Sequence, residues 1–73
     1  MTLTPAYGRD YKSRAAVLAD LKAGKDFAYS AFGAGARARP INLPQILETG
    51  VASISVRYAG SRKVAVIKRS ELE

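Results

Sequence analysis

The sequence contains no cysteine and no histidine. The first absence excludes disulfides, a thiolate nucleophile and cysteine-based zinc sites. The second removes the commonest general base, the commonest metal ligand and the side chain that titrates near neutrality. Acids are scarce: six Asp and Glu stand against twelve Lys and Arg, for a net charge of +6. No apolar run approaches the roughly 20 residues a membrane helix requires. The opening Met1-Thr2-Leu3-Thr4-Pro5 has neither the basic start nor the apolar stretch of a signal peptide. These absences predict a soluble cytoplasmic protein without a metal or other cofactor.

What is present suffices for one small domain. The 73 residues are 48% hydrophobic and 25% charged, an ordinary globular balance that argues against disorder. A chain of this size hides only about 60% of its unfolded surface, so its core is thin.

Residues 1–8, with Pro5 and Gly8 around Tyr7, read as an extended arm or a short edge strand ending in a turn. The clearest helix is predicted over 11–23. Asp10 or Ser13 is available as N-cap, Gly24 as the residue beyond the C-cap, and Lys22 and Lys25 suit the negative end of the dipole. At 100° per residue Tyr11, Ala15, Val17, Leu18 and Leu21 share one arc, with Lys12, Ser13, Ala16 and Asp20 opposite.

Residues 27–32 alternate in the manner of a strand, and 33–40 read as a glycine-rich loop. Asn42 caps a predicted helical turn over 43–48, which tolerates Pro44 near its start and ends at Gly50. Residues 51–58 and 63–69 form a predicted hairpin around Ala59-Gly60-Ser61. With a three-residue loop, Val64 and Val66 share a face with Ile54 and Val56, leaving Arg57, Lys63 and Arg69 on the other. A two-residue loop would reverse that parity. The expected fold is therefore α+β: one main helix on a three-stranded antiparallel sheet, a short helical turn in the middle crossover, and a frayed tail over 70–73.

Two segments carry a resemblance. Leu3-Thr4-Pro5-Ala6-Tyr7-Gly8-Arg9-Asp10-Tyr11-Lys12-Ser13 with Gly24-Lys25-Asp26-Phe27, and Val56-Arg57-Tyr58 with Lys63-Val64-Ala65-Val66, resemble small uncharacterised proteins of phages, plasmids and prophage-like regions of proteobacteria. The likeness covers both ends and is weakest over 31–49. It implies a mobile-element setting and assigns no catalytic or binding residue.

Catalysis finds little support. Only Glu71 and Glu73 pair by spacing, at a terminus expected to fray, and the serines lack a histidine or a Ser-x-x-Lys partner. The chain is read as a non-enzyme. Gly33-Ala34-Gly35 is half of a dinucleotide fingerprint without its third glycine, and no P-loop is present. The bland reading, a small-residue connection, is preferred there.

The basic residues say more. From Phe27 to Ser70, seven of them (Arg37, Arg39, Arg57, Arg62, Lys63, Lys68, Arg69) stand against Glu48 alone. A one-sided positive field suits a polyanion, although basic patches also serve solubility. The predicted phosphate contacts are Arg37, Arg39, Arg57, Arg62, Lys63 and Arg69, with Tyr7 and Tyr58 as possible stacking platforms. A helix-turn-helix is disfavoured, because Asp10 and Asp20 sit near the helix face that Lys12 would use and no adequate second helix follows. The expected function is a non-catalytic nucleic-acid-binding module, DNA or RNA undecided. The alternative is a protein-interaction or inhibitor module docking on a host or phage protein. A monomer is favoured over a homodimer, since like charges in the last strand would oppose one another.

Overall fold

Ser13 and Asn42 begin the two longer helices through the same chemistry, a side-chain oxygen accepting a backbone N–H that the first turn leaves unpaired. The computed structural model describes residues 1–5, 9–29, 39–59 and 62–73. In chain order they form β1 (Thr2–Pro5), α1 (Arg14–Lys22), β2 (Phe27–Tyr29), β3 (Arg39–Ile41), α2 (Leu43–Glu48), β4 (Ser53–Arg57), β5 (Val64–Lys68) and α3 (Arg69–Leu72). No helix among them is long and apolar enough to cross a membrane.

For α1, Ala16 N–H donates to Ser13 Oγ at 3.2 Å, so Ser13 rather than Asp10 is the cap. Beyond the C-cap Ala23, Gly24 takes φ +83°, a conformation that costs glycine little. For α2, Asn42 and Gln45 form a reciprocal capping box, and Pro44 lies in the first turn where its missing N–H is not needed. Both helical expectations hold, with α1 shorter than 11–23.

The described strands form one mixed five-stranded sheet in the order β3-β2-β1-β4-β5. The α+β class stands; the three-stranded antiparallel sheet does not. Its largest correction is β1, expected as an arm or edge strand and found at the centre. It runs antiparallel to β2, with Leu3 opposite Tyr29, and parallel to β4, with Leu3 opposite Val56. Leu3 is completely buried, and that single side chain explains why the segment is drawn inside. A second correction is β3. Arg39 and Pro40, at the end of the predicted 33–40 loop, instead pair with β2 together with Ile41 as an edge strand, the position in a sheet that tolerates proline.

A third correction concerns the tail. Residues 69–72 are helical, with Leu72 buried and Glu71 accepting from Lys68 N–H at 2.9 Å, so the last turn is held from both sides. Of the strand expected over 27–32, the structure describes 27–29, and most of the predicted 33–40 loop lies outside the described residues.

Leu3, Phe27, Ile41, Ile54, Val56 and Ile67 line one face of the sheet and join Val17 and Leu21 of α1, Ile46 of α2 and Leu72 of α3 in a single core. All three helices therefore cover the same face. The buried stripe of α1 centres on Val17 and Leu21. Leu18 and Ala16 flank it half-buried, and Ala15, expected inside, is exposed.

Candidate functional site

The face of the sheet that the helices leave open is set by the β4–β5 register. Ile54 pairs with Ile67, Val56 with Ala65, Ser55 with Val66 and Arg57 with Val64. Tyr58 N–H donates to Lys63 O, leaving 59–62 between the two strands. That connection has an even number of residues, so the parity is the reverse of the three-residue expectation. Ala65 and Ile67 point into the core, while Val64 and Val66 are 46% and 53% exposed. The open face is thus built from Thr2, Thr4, Ser53, Ser55, Val64 and Val66, with Arg57 and Lys68 as its cations.

The structure brings together some predicted phosphate contacts and scatters others. Arg57 lies on the open face, and exposed Arg62 and Lys63 stand at the hairpin end beside it. Arg69, expected on that face, begins α3 instead. Its Nη1 donates to Leu47 O at 2.9 Å and its Nε to Glu73 Oε1 at 3.0 Å. It is a structural tie between α2 and α3. Arg39 is exposed on β3, at the opposite edge of the sheet, and its pairing with Tyr29 puts it on the helix-covered side. Tyr58 is half-buried against the core, which limits its ring as a stacking platform. Arg37 and Tyr7 lie outside the described residues.

Lys68 takes the place on the open face that Arg69 was expected to hold. Sequence reasoning missed it because the signal was there only for one of two registers. Arg62, Lys63 and Lys68 have no carboxylate within salt-bridge distance among the described residues. The acids are elsewhere. None lies in a strand, and four of them engage cations on the helical side: Asp10 with Lys12, Asp20 with Arg9 and Lys25, Glu71 with Arg14, Glu73 with Arg69. Charge is therefore sorted by element: the acids lie outside the strands, and Arg62 and Lys63 at the hairpin end have no ion pair among the described residues.

A second polar group lies beside α1. Tyr11 Oη donates to Asp20 Oδ2 at 2.7 Å, and the Tyr11 ring stacks on Phe27 with centroids 5.8 Å apart. The Arg9 guanidinium covers Phe27 at 4.6 Å and donates to Asp26 O. Burial and the Asp20 bond push the Tyr11 phenol up to about 12, while that same bond, with Lys25 and Arg9 nearby, holds Asp20 below the usual carboxylate range. These contacts tie the segment that precedes α1 to Asp20 near the C-terminal end of α1 and to Phe27 at the start of β2. Among the described residues no three acidic side chains gather where they could hold a metal ion. Comparisons of the chain with protein-family models, with curated proteins and with solved structures return no match.

Proposed function

We propose that the chain is a small non-catalytic nucleic-acid-binding module that meets phosphates through the β4–β5 hairpin. One observation carries the reading: the strands hold no acid, while Arg57, Arg62, Lys63 and Lys68 cluster on one hairpin. Guanidinium and ammonium groups attract phosphate oxygens, and Arg62 and Lys63 have no carboxylate within salt-bridge distance among the described residues. Such contacts position a protein on nucleic acid without reading sequence. Arg39 belongs to this proposal only as a contact on the far edge, and Arg69 leaves it because its guanidinium is committed to Leu47 and Glu73. A mobile-element setting, implied by the resemblance at both ends of the chain, is consistent with a nucleic-acid partner.

A second reading is a protein-interaction or inhibitor module that docks on a host or phage protein. It is favoured by Val64 and Val66, the large hydrophobic side chains exposed among the described residues.

The two readings separate in a binding titration with labelled duplex and single-stranded oligonucleotides of unrelated sequence, followed by fluorescence anisotropy as salt is raised. Arg62→Ala with Lys63→Ala is expected to weaken binding to all sequences alike. Each lost contact should flatten the log–log salt dependence by about 0.9 on duplex or about 0.7 on a single strand. Lys12→Ala is the control, since Lys12 lies 3.5 Å from Asp10 on the helical side. A larger effect at Lys12 moves the interface to the segment that leads into α1. No binding by the parent at about 50 mM salt removes the nucleic-acid reading and leaves the protein partner.

A further inference from the structure

The two edges of the sheet are closed unequally. β3 is three residues long and contains Pro40, which has no N–H to offer a further strand. β5 is longer and carries no proline. Tyr58 N–H bonds Lys63 O and Arg69 N–H bonds Ala52 O, so by antiparallel alternation residues 63, 65, 67 and 69 face β4. The backbone groups of Val64, Val66 and Lys68 therefore point away from the sheet.

Two side chains occupy that edge. Arg14 of α1 donates to Val66 O from Nε at 3.3 Å and from Nη2 at 3.1 Å. The same guanidinium holds Glu71 Oε1 at 2.6 Å, and Glu71 Oε2 in turn accepts from Lys68 N–H. Arg14 and Glu71 together close the C-terminal half of the β5 edge.

We propose that β5 is a self-pairing strand kept closed by this latch, and that its occupant when the latch is withdrawn is β5 of a second copy. The pairing is antiparallel about a two-fold axis at Val66. In that register Val66 meets Val66 of the other copy, and each Val64 meets a Lys68. Val64 and Val66, the large hydrophobics exposed among the described residues, then gain cross-strand neighbours, and no lysine faces a lysine. The like-charge objection to self-pairing rested on the lysines and arginines of a last strand running over 63–69, whereas β5 spans Val64–Lys68. Arg69 has left the strand for α3, and its guanidinium is bonded to Leu47 and Glu73. The groups the second copy requires, Val66 C=O and Lys68 N–H, are those that Arg14 and Glu71 hold. Latch and partner compete for one edge. The inference does not depend on nucleic-acid binding.

Sedimentation equilibrium across a wide concentration range tests it, with circular dichroism confirming the fold of each variant. The parent is expected to remain monomeric. Arg14→Ala should show concentration-dependent doubling of mass, together with slower hydrogen exchange at the Val64 and Val66 amides. A merely structural role for Arg14 would instead leave those amides exchanging faster. Adding Val66→Lys to Arg14→Ala, which sets two ammonium groups face to face at the axis, should restore the monomer. Should Arg14→Ala not fold, Glu71→Gln loosens the same latch while leaving Arg14 in place and should itself raise the dimer fraction. Monomers in every folded latch variant, a dimer that survives Val66→Lys, or a parent already dimeric would each overturn the proposal.

Discussion

Leu18 and Leu21 lie one turn apart on α1, and only Leu21 is fully enclosed. Truncating Leu21 to alanine removes a buried side chain whose neighbours on the sheet cannot close the gap. The expected cost is about 3 kcal/mol, a large part of the margin of so small a domain. Leu18→Ala, already half solvated, should cost clearly less. Urea denaturation of the two variants checks the order, and equal midpoints would misplace the buried stripe. Tyr11 offers a second single-residue test. Its phenol ionises near 10.0 in an unfolded chain and at about 12 in the folded one. A raised value means the native state holds the proton over that window. The contribution of Tyr11 is complete below pH 10 and is lost as pH rises through about 12. Alkaline absorbance titration of the parent should therefore contain a late phenol step that Tyr11→Phe removes. A late step that persists in that variant would reassign the shift.

Among the elements, α2 shows how much a short segment owes to its cap. Its six residues are too few to be stable as an isolated helix. Asn42 N–H donates to Gln45 Oε1 at 3.0 Å while Gln45 N–H reaches Asn42 Oδ1 at 3.5 Å, and Ile46 anchors the turn in the core. Asn42→Ala is expected to cost about 1 kcal/mol. Thermal melting that leaves the midpoint unchanged would show that Ile46 alone holds the turn. The α3 helix depends on its surroundings even more. It has four residues, and Leu72, the Glu71–Arg14 pair and the Arg69 tie to Leu47 fix it from three directions. No pattern within its own sequence announces this, which is why the segment reads as a fraying tail.

On the scale of the molecule, placing every helix on one side of the sheet produces two unlike surfaces. The helical side contains the core and the compensated ion pairs. The open side carries small polar residues, two valines and the hairpin cations. The salt-dependence test of Arg62 and Lys63 and the mass measurement on Arg14 variants address different parts of this arrangement. One concerns the positive end of the hairpin, the other the edge of β5. Either result can fail without the other.

The cap at Asn42, the choice of Asp10 or Ser13 before α1, the glycine after α1 and the alternation of β4 are legible in the sequence because each depends on residues within a few positions. Net charge, and its concentration beyond Phe27, is legible for the same reason: it is a count. Alternation also shows that Val64, Val66 and Lys68 share a face, and that Ala65 and Ile67 share the opposite one. It does not show which face turns inward. That is decided by pairing Ile54 with Ile67 across an even-length connection, and one residue of slip would have put the valines in the core. The position of β1 is likewise beyond local reach, since its neighbours β2 and β4 come from opposite parts of the chain. The partners of Arg14, Val66 and Glu71, lie 52 and 57 residues further along the chain. The sequence by itself determined the α+β class, the two longer helices, the alternation of the hairpin strands and the amount of positive charge. Only the tertiary structure decided which cations stand together and which edge is closed, because both depend on burial of the whole apolar set at once.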